Sequence, residues 1–271
     1  MSRPVKANWR DCRIDLIPEG TFPRVIITDD PPPPSTPELE EHIDQLWQHK
    51  RAANPRLFDA PVLAYVNDDP TTHTITARRD TYKNLAVQPD LPRHAQPALT
   101  QLSLTAVLLA PDHQGEPHVF LGKRSPDTRI YGDLWELGPA GGIDCPPISQ
   151  PELDHIDLWA NLRNEITEEL GLNVALPVGG APTGLGATRS ITPIALAHDP
   201  FAHSVDIVYR VELTTPVEDL TNAADPHTTR ASWEYPATRW IPTAQLAAFD
   251  DTETDAIIPP TRALLRRLGW A

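Results

Sequence analysis

Three glutamates, Glu165, Glu168 and Glu169, stand at i, i+3 and i+4, a spacing that puts three carboxylates on one face of a single helix. Like charges so placed repel, and near a helix C-terminus they gain nothing from the macrodipole, whose C-terminal end is negative. A helix built for stability alone would mix in lysines. Hard cations such as Mg²⁺ or Mn²⁺ take oxygen ligands, commonly one or two carboxylates plus substrate phosphates. The cluster therefore points to a metal–diphosphate site, against the plainer alternative of a solvated acidic face. Upstream, Trp135-Glu136-Leu137-Gly138-Pro139-Ala140-Gly141-Gly142 ends in two glycines that permit close backbone approach to a ligand.

The elements that must hold these residues are legible in outline. Ile156, Trp159, Leu162, Ile166 and Leu170 recur at helical spacing, predicting a helix over residues 153–170 that Gly171 ends as a C′ glycine. Ser103 to Ala110 and His118 to Lys123 have the texture of buried strands joined by a turn at Pro111 to Glu116. Further strands are expected around Thr183 to Ser190, Val205 to Leu213 and Thr238 to Ile241, with a helix from about Pro260 to Leu268. Before residue 100, Ser35-Thr36-Pro37-Glu38 supplies a cap, a first-turn proline and an acidic first turn for a helix over 37–53. Pro61 to Val66 and Thr72 to Arg78 predict a hairpin turning at Asn67-Asp68-Asp69-Pro70. Strands with a few unequally placed helices imply an α+β fold with a mixed sheet over 100–271, and an N-terminal α/β extension over 1–99 packed on it.

Composition bounds the function. The 271 residues carry 23 Lys plus Arg against 37 Asp plus Glu, a net charge of −14. That balance weighs against nucleic acid as a broad partner, since counterion release needs a basic surface. An anionic ligand would need a cation to bridge it to so acidic a protein. No apolar stretch approaches the ~18 residues of a membrane helix, and Met1 to Arg10 is followed by no apolar segment of the secretory kind. Cys12 and Cys145 are too few for a disulfide scaffold, which makes a reducing cytoplasm the expected setting. The 31 prolines, scattered rather than periodic, predict many short elements and long loops, and Pro31 to Pro34 form a stiff connector.

Gly142 followed by Glu165-Ile166-Thr167-Glu168-Glu169-Leu170-Gly171-Leu172 resembles the Nudix box, GX5EX7REUXEEXGU with U aliphatic. The end of the box fits. Its beginning departs: Asn164 stands where the pattern has Arg, and Gly142 lies 22 positions before it, eight more than the pattern asks. The isolated box Glu falls by count on Ile156, so it is absent or displaced to Glu152, Asp154 or Asp157. Phe120-Leu121-Gly122-Lys123-Arg124-Ser125, Leu134 to Leu137 and Arg239-Trp240-Ile241-Pro242 extend the resemblance over about 100–271. Leu57-Phe58-Asp59-Ala60-Pro61, Thr81-Tyr82-Lys83, the long insertion and the Asn at the box Arg position together resemble the Nudix-type UDP-glucose pyrophosphatases of animals.

The resemblance implies a Nudix α/β/α sandwich and Mg²⁺-dependent cleavage, with Mn²⁺ as a substitute, of UDP-glucose or UDP-galactose to UMP and hexose 1-phosphate. It implies Glu165 and Glu169 as metal ligands, and Glu168 as a third ligand or water-orienting group. A backbone carbonyl near Gly141 would complete the shell, with Gly142 beside it. Glu234 matches an acidic position opposite the box helix and is the expected general base. Arg124 and Arg189 are candidates for phosphate oxygens, because guanidinium forks suit them. Tyr82 and Lys83 are candidates for nucleotide or sugar contact. Two alternatives stay open: another nucleoside diphosphate derivative such as ADP-ribose or a dinucleotide, and a catalytically silent Nudix-fold binding protein. The oligomeric state is not legible.

Overall fold

Strand β5 (Gln101–Pro111) is buried along almost its whole length and organises the molecule through its alternation. Leu102, Leu104, Ala106 and Leu108 point into one apolar cluster, which also takes in Leu158, Leu162 and Ile166. Val107 and Leu109 point the other way, into a second cluster with Leu246, Phe249, Leu264 and Leu265. A side-chain period of two thus gives one strand two cores, and each fully buried Leu contributes about 1.5–3 kcal/mol. In this computed structural model the described residues are 8–31, 35–92, 96, 98–146, 156–174, 186–223, 234–253 and 255–271. Glu152 and Asp154, the prolines at 32–34, and the expected strand start at 183–185 lie outside them.

The protein is α+β with a mixed sheet. Strands β1 (Arg13–Leu16), β2 (Arg24–Thr28), β3 (Pro61–Asp69) and β4 (Thr74–Thr81) precede β5, with α1 (Pro37–Ala53) and α2 (Tyr82–Val87) among them. After β5 come β6 (Pro117–Lys123), β7 (Trp135–Leu137), β8 (Ala140–Gly142), α3 (Leu158–Leu170), β9 (Thr188–Asp199) and β10 (Ser204–Leu213). The chain ends with α4 (Val217–Ala223), β11 (Ala237–Pro242), α5 (Leu246–Thr252) and α6 (Pro259–Arg267). The strand order is β1-β9-β10-β5-β3-β4-β2; β6 pairs with β5, β7 and β11, and β8 pairs with β5. The β10–β5 and β2–β4 pairs are parallel and the others antiparallel. Strands from before residue 100 join the sheet directly: β1 lies along β9, and Ala64 of β3 pairs with Gln101 of β5.

Several predicted bounds shift, each for a local reason. The helix expected over 153–170 begins at Leu158, because the Asp157 carboxylate accepts from the backbone N–H of Ala160 at 2.9 Å and caps it there. Ile156 packs on the core from outside the helix. The strand expected to end at Ser190 runs on to Asp199. Pro193 sits beside a register shift against β10, where a missing N–H is tolerated, so the proline does not end the strand. The hairpin turn falls at 70–73 instead of Asn67 to Pro70, since Asp69 accepts from the N–H and hydroxyl of Thr71 and the hydroxyl of Thr72.

Before residue 100, the Thr36 hydroxyl caps α1 at Leu39, and Ile43 and Trp47 bury against Ala86, Val87 and Leu91. The Trp47 and Tyr82 rings meet edge to face at 6.2 Å. Lys50 pairs with Asp90 at 2.7 Å, fixing the C-terminal turn of α1 over the 3₁₀ turn that follows α2.

Candidate active site

A cavity of about 680 Å³ opens between α1 and α2 on one side and β5, β8 and β10 on the other. Ser103 and Thr105 of β5 and Ser204 and Asp206 of β10 face it, each on the opposite side of its strand from the cluster that packs on α3. Asp206 pairs with Ser103 in the sheet register. Gly141, Gly142 and Glu234 line one part of the cavity. Tyr82, Arg129, Tyr131 and Asp199 line it as well.

The three glutamates Glu165, Glu168 and Glu169 have different fates on α3. Leu158, Leu162, Ile166 and Glu169 form its buried stripe, so Glu169 occupies the next position of the apolar row and is only 5% exposed. Glu165 is half-buried and Glu168 is exposed. One carboxylate oxygen of Glu169, Oε2, has no hydrogen-bond partner among the described residues. Its pKa is pushed well up, first by burial, then by Glu234 through charge and hydrogen bonding, and then by Glu165 and Glu136. The Glu165 pKa rises to about 7, again first by burial, then by Glu234, Glu168 and Asp144. Two carboxylates in hydrogen-bond contact must share a proton or have a cation between them.

Glu234 reaches the helix because its backbone is tied to the exit of β6: the Ser125 N–H donates to the Glu234 carbonyl at 2.7 Å. The next residue, Tyr235, is buried and donates to Glu136 at 2.9 Å. Its ring lies against Gly122 and its hydroxyl against Gly138, where no side chain fits. Gly141 meets the Glu165 carboxylate in the same way, so strand β8, paired along β5, is what brings backbone to that glutamate.

The sequence-predicted residues are not all gathered here. Glu165, Glu169, Glu234 and Gly141 come together, with Gly141 and Glu234 lining the cavity and the two helix glutamates behind them, outside its lining. Arg124 lines the cavity, but one of its guanidinium nitrogens sits 2.6 Å from both oxygens of buried Glu136 and its Nε donates to Ile130. Burial works against the Arg124 charge, Glu136 together with Tyr235 and Glu169 more than offsets it, and the net pKa is raised. Tyr82 lines the cavity, whereas Lys83 turns to Asp44 at 2.8 Å. Arg189 lies exposed on β9 away from the cavity lining. Sequence inspection missed Asp144, which follows the glycines and faces Glu165, and the pair Asp199 and Asp206. A carboxylate inside the apolar run Val205 to Tyr209 was the available signal for Asp206.

No protein-family model matches the chain, and no curated protein matches it. Solved structures do show similarity. A Nudix hydrolase from M. smegmatis, RenU, is 19% identical over 61% of this chain and 81% of its own, with a TM-score of 0.37. A Nudix hydrolase from Alicyclobacillus acidocaldarius is 15% identical over 61% and 89%, with a TM-score of 0.39. A mutT/nudix family protein from Listeria innocua is 13% identical over 62% and 93%, with a TM-score of 0.34. All three carry the Nudix name. At such identities and TM-scores the likeness carries no argument about activity, and the chemistry rests on the residues themselves.

Those residues fit a hard divalent cation. Among the described residues no three His, Cys, Asp or Glu side chains form a ready-made metal cage. Mg²⁺ does not require one, because it is commonly held by one or two carboxylates with water and substrate oxygens completing the shell. The unsatisfied oxygen of Glu169 beside Glu165 and Glu234 has the chemistry of such a ligand. No helix among the described residues is long and apolar enough to cross a membrane.

Proposed function

We propose that the chain is a Nudix-type hydrolase that cleaves the diphosphate bond of a nucleoside diphosphate derivative, with a nucleotide sugar such as UDP-glucose or UDP-galactose as the leading substrate. The observation that carries this reading is Glu169, buried with an unsatisfied oxygen and pressed against Glu234 and Glu165 beside a cavity of nucleotide size. Burying a carboxylate against two others is costly in a helix that serves only as scaffold.

Glu165 and Glu169 would hold Mg²⁺ or Mn²⁺. When bound, the cation neutralises phosphate oxygens and lowers the pKa of a coordinated water. Gly141 leaves room for backbone and ligand to approach Glu165. Glu234, opposite the helix, takes the proton of the attacking water, whose oxygen joins one phosphorus as the bridging P–O bond breaks. The second phosphate leaves as the hexose 1-phosphate and UMP is released. Arg124 serves as a positioning residue, holding Glu136 and with it Tyr235 next to Glu234.

The test is a Mg²⁺-dependent turnover panel of UDP-glucose, UDP-galactose, ADP-ribose and a dinucleotide, with phosphorus-containing products identified. UDP-sugars are expected to give UMP and hexose 1-phosphate, and Glu165→Gln and Glu169→Gln to abolish this with the fold intact. Equal turnover of UDP-glucose by wild type and Glu169→Gln would overturn the metal site. Nucleotide binding without turnover of any substrate would leave a silent binding protein in its place.

A further inference from the structure

Four cationic side chains line the cavity: Lys50, Arg56, Arg124 and Arg129. Three are already matched to carboxylates: Lys50 to Asp90, Arg56 to Asp127 and Arg124 to Glu136. Arg129 differs. Among the described residues it forms no ion pair, and its one hydrogen bond runs from Nη2 to the backbone carbonyl of Ala202 at 3.1 Å.

That carbonyl sits on a built platform. Asp199, itself only 2% exposed, accepts from the backbone N–H groups of Phe201 and Ala202 at 2.9 and 3.0 Å and from the Tyr131 hydroxyl at 2.7 Å. The β9–β10 turn is therefore rigid, and it fixes one nitrogen of Arg129 while the rest of the guanidinium faces open cavity. Tyr82 comes from the opposite wall, near enough to interact with the Arg129 charge. A guanidinium anchored by a neutral carbonyl keeps its full charge and a fork of donors suited to phosphate. The neighbouring Asp199 carboxylate is occupied by three donors, which leaves the arginine the stronger ligand-seeking group.

We propose that Arg129 is a phosphate-binding residue of this cavity: it binds a phosphate of a nucleotide ligand through a forked, metal-independent contact. The proposal rests on the hydrolase reading only for the identity of the substrate, since the contact itself needs no metal. Burial of part of the side chain, with Arg124 nearby, pushes the Arg129 pKa down, a direction that a bound anion would oppose. An acidic protein would thereby hold a diphosphate by two cations, one brought with the metal site and one carried permanently at the other wall.

The experiment is calorimetric titration of the full chain with UMP and AMP in EDTA, for wild type, Arg129→Gln and Arg129→Lys, with unfolding midpoints measured alongside. Arg129→Gln is expected to weaken binding of both nucleotides about ten- to a hundredfold at an unchanged midpoint, the loss of a charged hydrogen-bond pair. Arg129→Lys should bind between the two, keeping charge without the fork. The same affinity in Arg129→Gln and wild type overturns the proposal, as does a wild type that binds neither nucleotide in EDTA. If Arg129→Gln unfolds early, Arg129→Lys decides: wild-type affinity in that folded variant also overturns the fork. The two readings fail separately. A wild type that binds UMP through Arg129 yet hydrolyses nothing sinks only the hydrolase, and UDP-glucose hydrolysis with an unchanged KM in Arg129→Gln sinks only the arginine.

Discussion

The Cα of Gly141 lies directly against the carboxylate of Glu165, so close that a Cβ at that position would overlap the carboxyl carbon and both its oxygens. Strand β8 holds the glycine in place by pairing Gly141 with Leu104 and Gly142 with Ser103 of the buried strand β5. The backbone there cannot yield without breaking the sheet, so any side chain must instead push Glu165 away.

Gly141→Ala is therefore expected to displace the Glu165 carboxylate and lower Mg²⁺-dependent kcat by about 10²-fold, the usual consequence of a misplacement near 1 Å. Stability should change little, because the atoms met are the far end of a flexible side chain. Steady-state kinetics with denaturant unfolding checks both. Wild-type kcat in a folded variant would show that Glu165 is free to move.

Glu169→Gln should stabilise the metal-free protein while abolishing activity. The sign follows from the raised folded pKa of Glu169, which means that its ionised form is disfavoured in the native state. Gln never ionises, so the gain is larger at pH 8 than at pH 5. A gain of 1 kcal/mol corresponds to about 2–4 °C in Tm for a chain of this size. Thermal melts in EDTA read the gain. Melts with Mg²⁺ should show the wild type rising and the variant unmoved, because only a ligand bound to the native state stabilises it.

Arg124 behaves differently from a phosphate-binding arginine. Its loss leaves Glu136, only 3% exposed, as a buried charge whose remaining hydrogen bond comes from Tyr235. Arg124→Ala should cost about 3–5 kcal/mol by chemical denaturation. Arg124→Ala with Glu136→Gln should recover much of that loss, since the buried charge is then gone. A single variant of wild-type stability and raised KM would instead make Arg124 a direct substrate contact.

Asp206 gives a pH-dependent stability that does not involve the glutamates of α3. Its folded pKa is raised from 3.8 to about 7, first by burial, then by Asp199 and Glu136, against the pull of Arg124 and the hydrogen bond from Ser103. A raised acid binds its proton more tightly folded than unfolded, so its contribution is present at low pH and is lost as pH rises from about 4 to 7. The upper bound is roughly 4 kcal/mol. The stability difference between Asp206→Asn and wild type should accordingly grow in favour of the variant from pH 5 to pH 8. Denaturation in EDTA at both values measures it, and a difference independent of pH would mean that Asp206 stays ionised throughout.

Some of the site could be read directly from the chain because it depends on local spacing. The helix around Glu165 and Glu169 is announced by its apolar period and by Gly171, whose left-handed φ of 67° suits a glycine. Helix α1 is announced by Thr36 and Pro37, and strands β5 and β10 by their apolar runs. Pro193 hid the length of β9, because a proline inside a strand is tolerated only where a bulge removes the need for its N–H.

What the sequence by itself determined is therefore the carboxylate helix, the α+β class and an acidity that would call for a cation beside any anionic ligand. Which carboxylate is buried was beyond it: Glu165, Glu168 and Glu169 are chemically alike, and only the docking of α3 against β5 sends Glu169 into the core and leaves Glu168 outside. The same holds for the arginines. Arg124, Arg129 and Arg189 offer identical guanidinium groups, but one is taken by Glu136, one faces solvent on β9, and one is held by Ala202 inside the cavity. Charge and hydrogen-bonding capacity belong to the residue type and can be read from the chain. Whether they are already satisfied depends on neighbours about 70 residues away in sequence, such as Ala202 for Arg129, and those are chosen only by the tertiary fold.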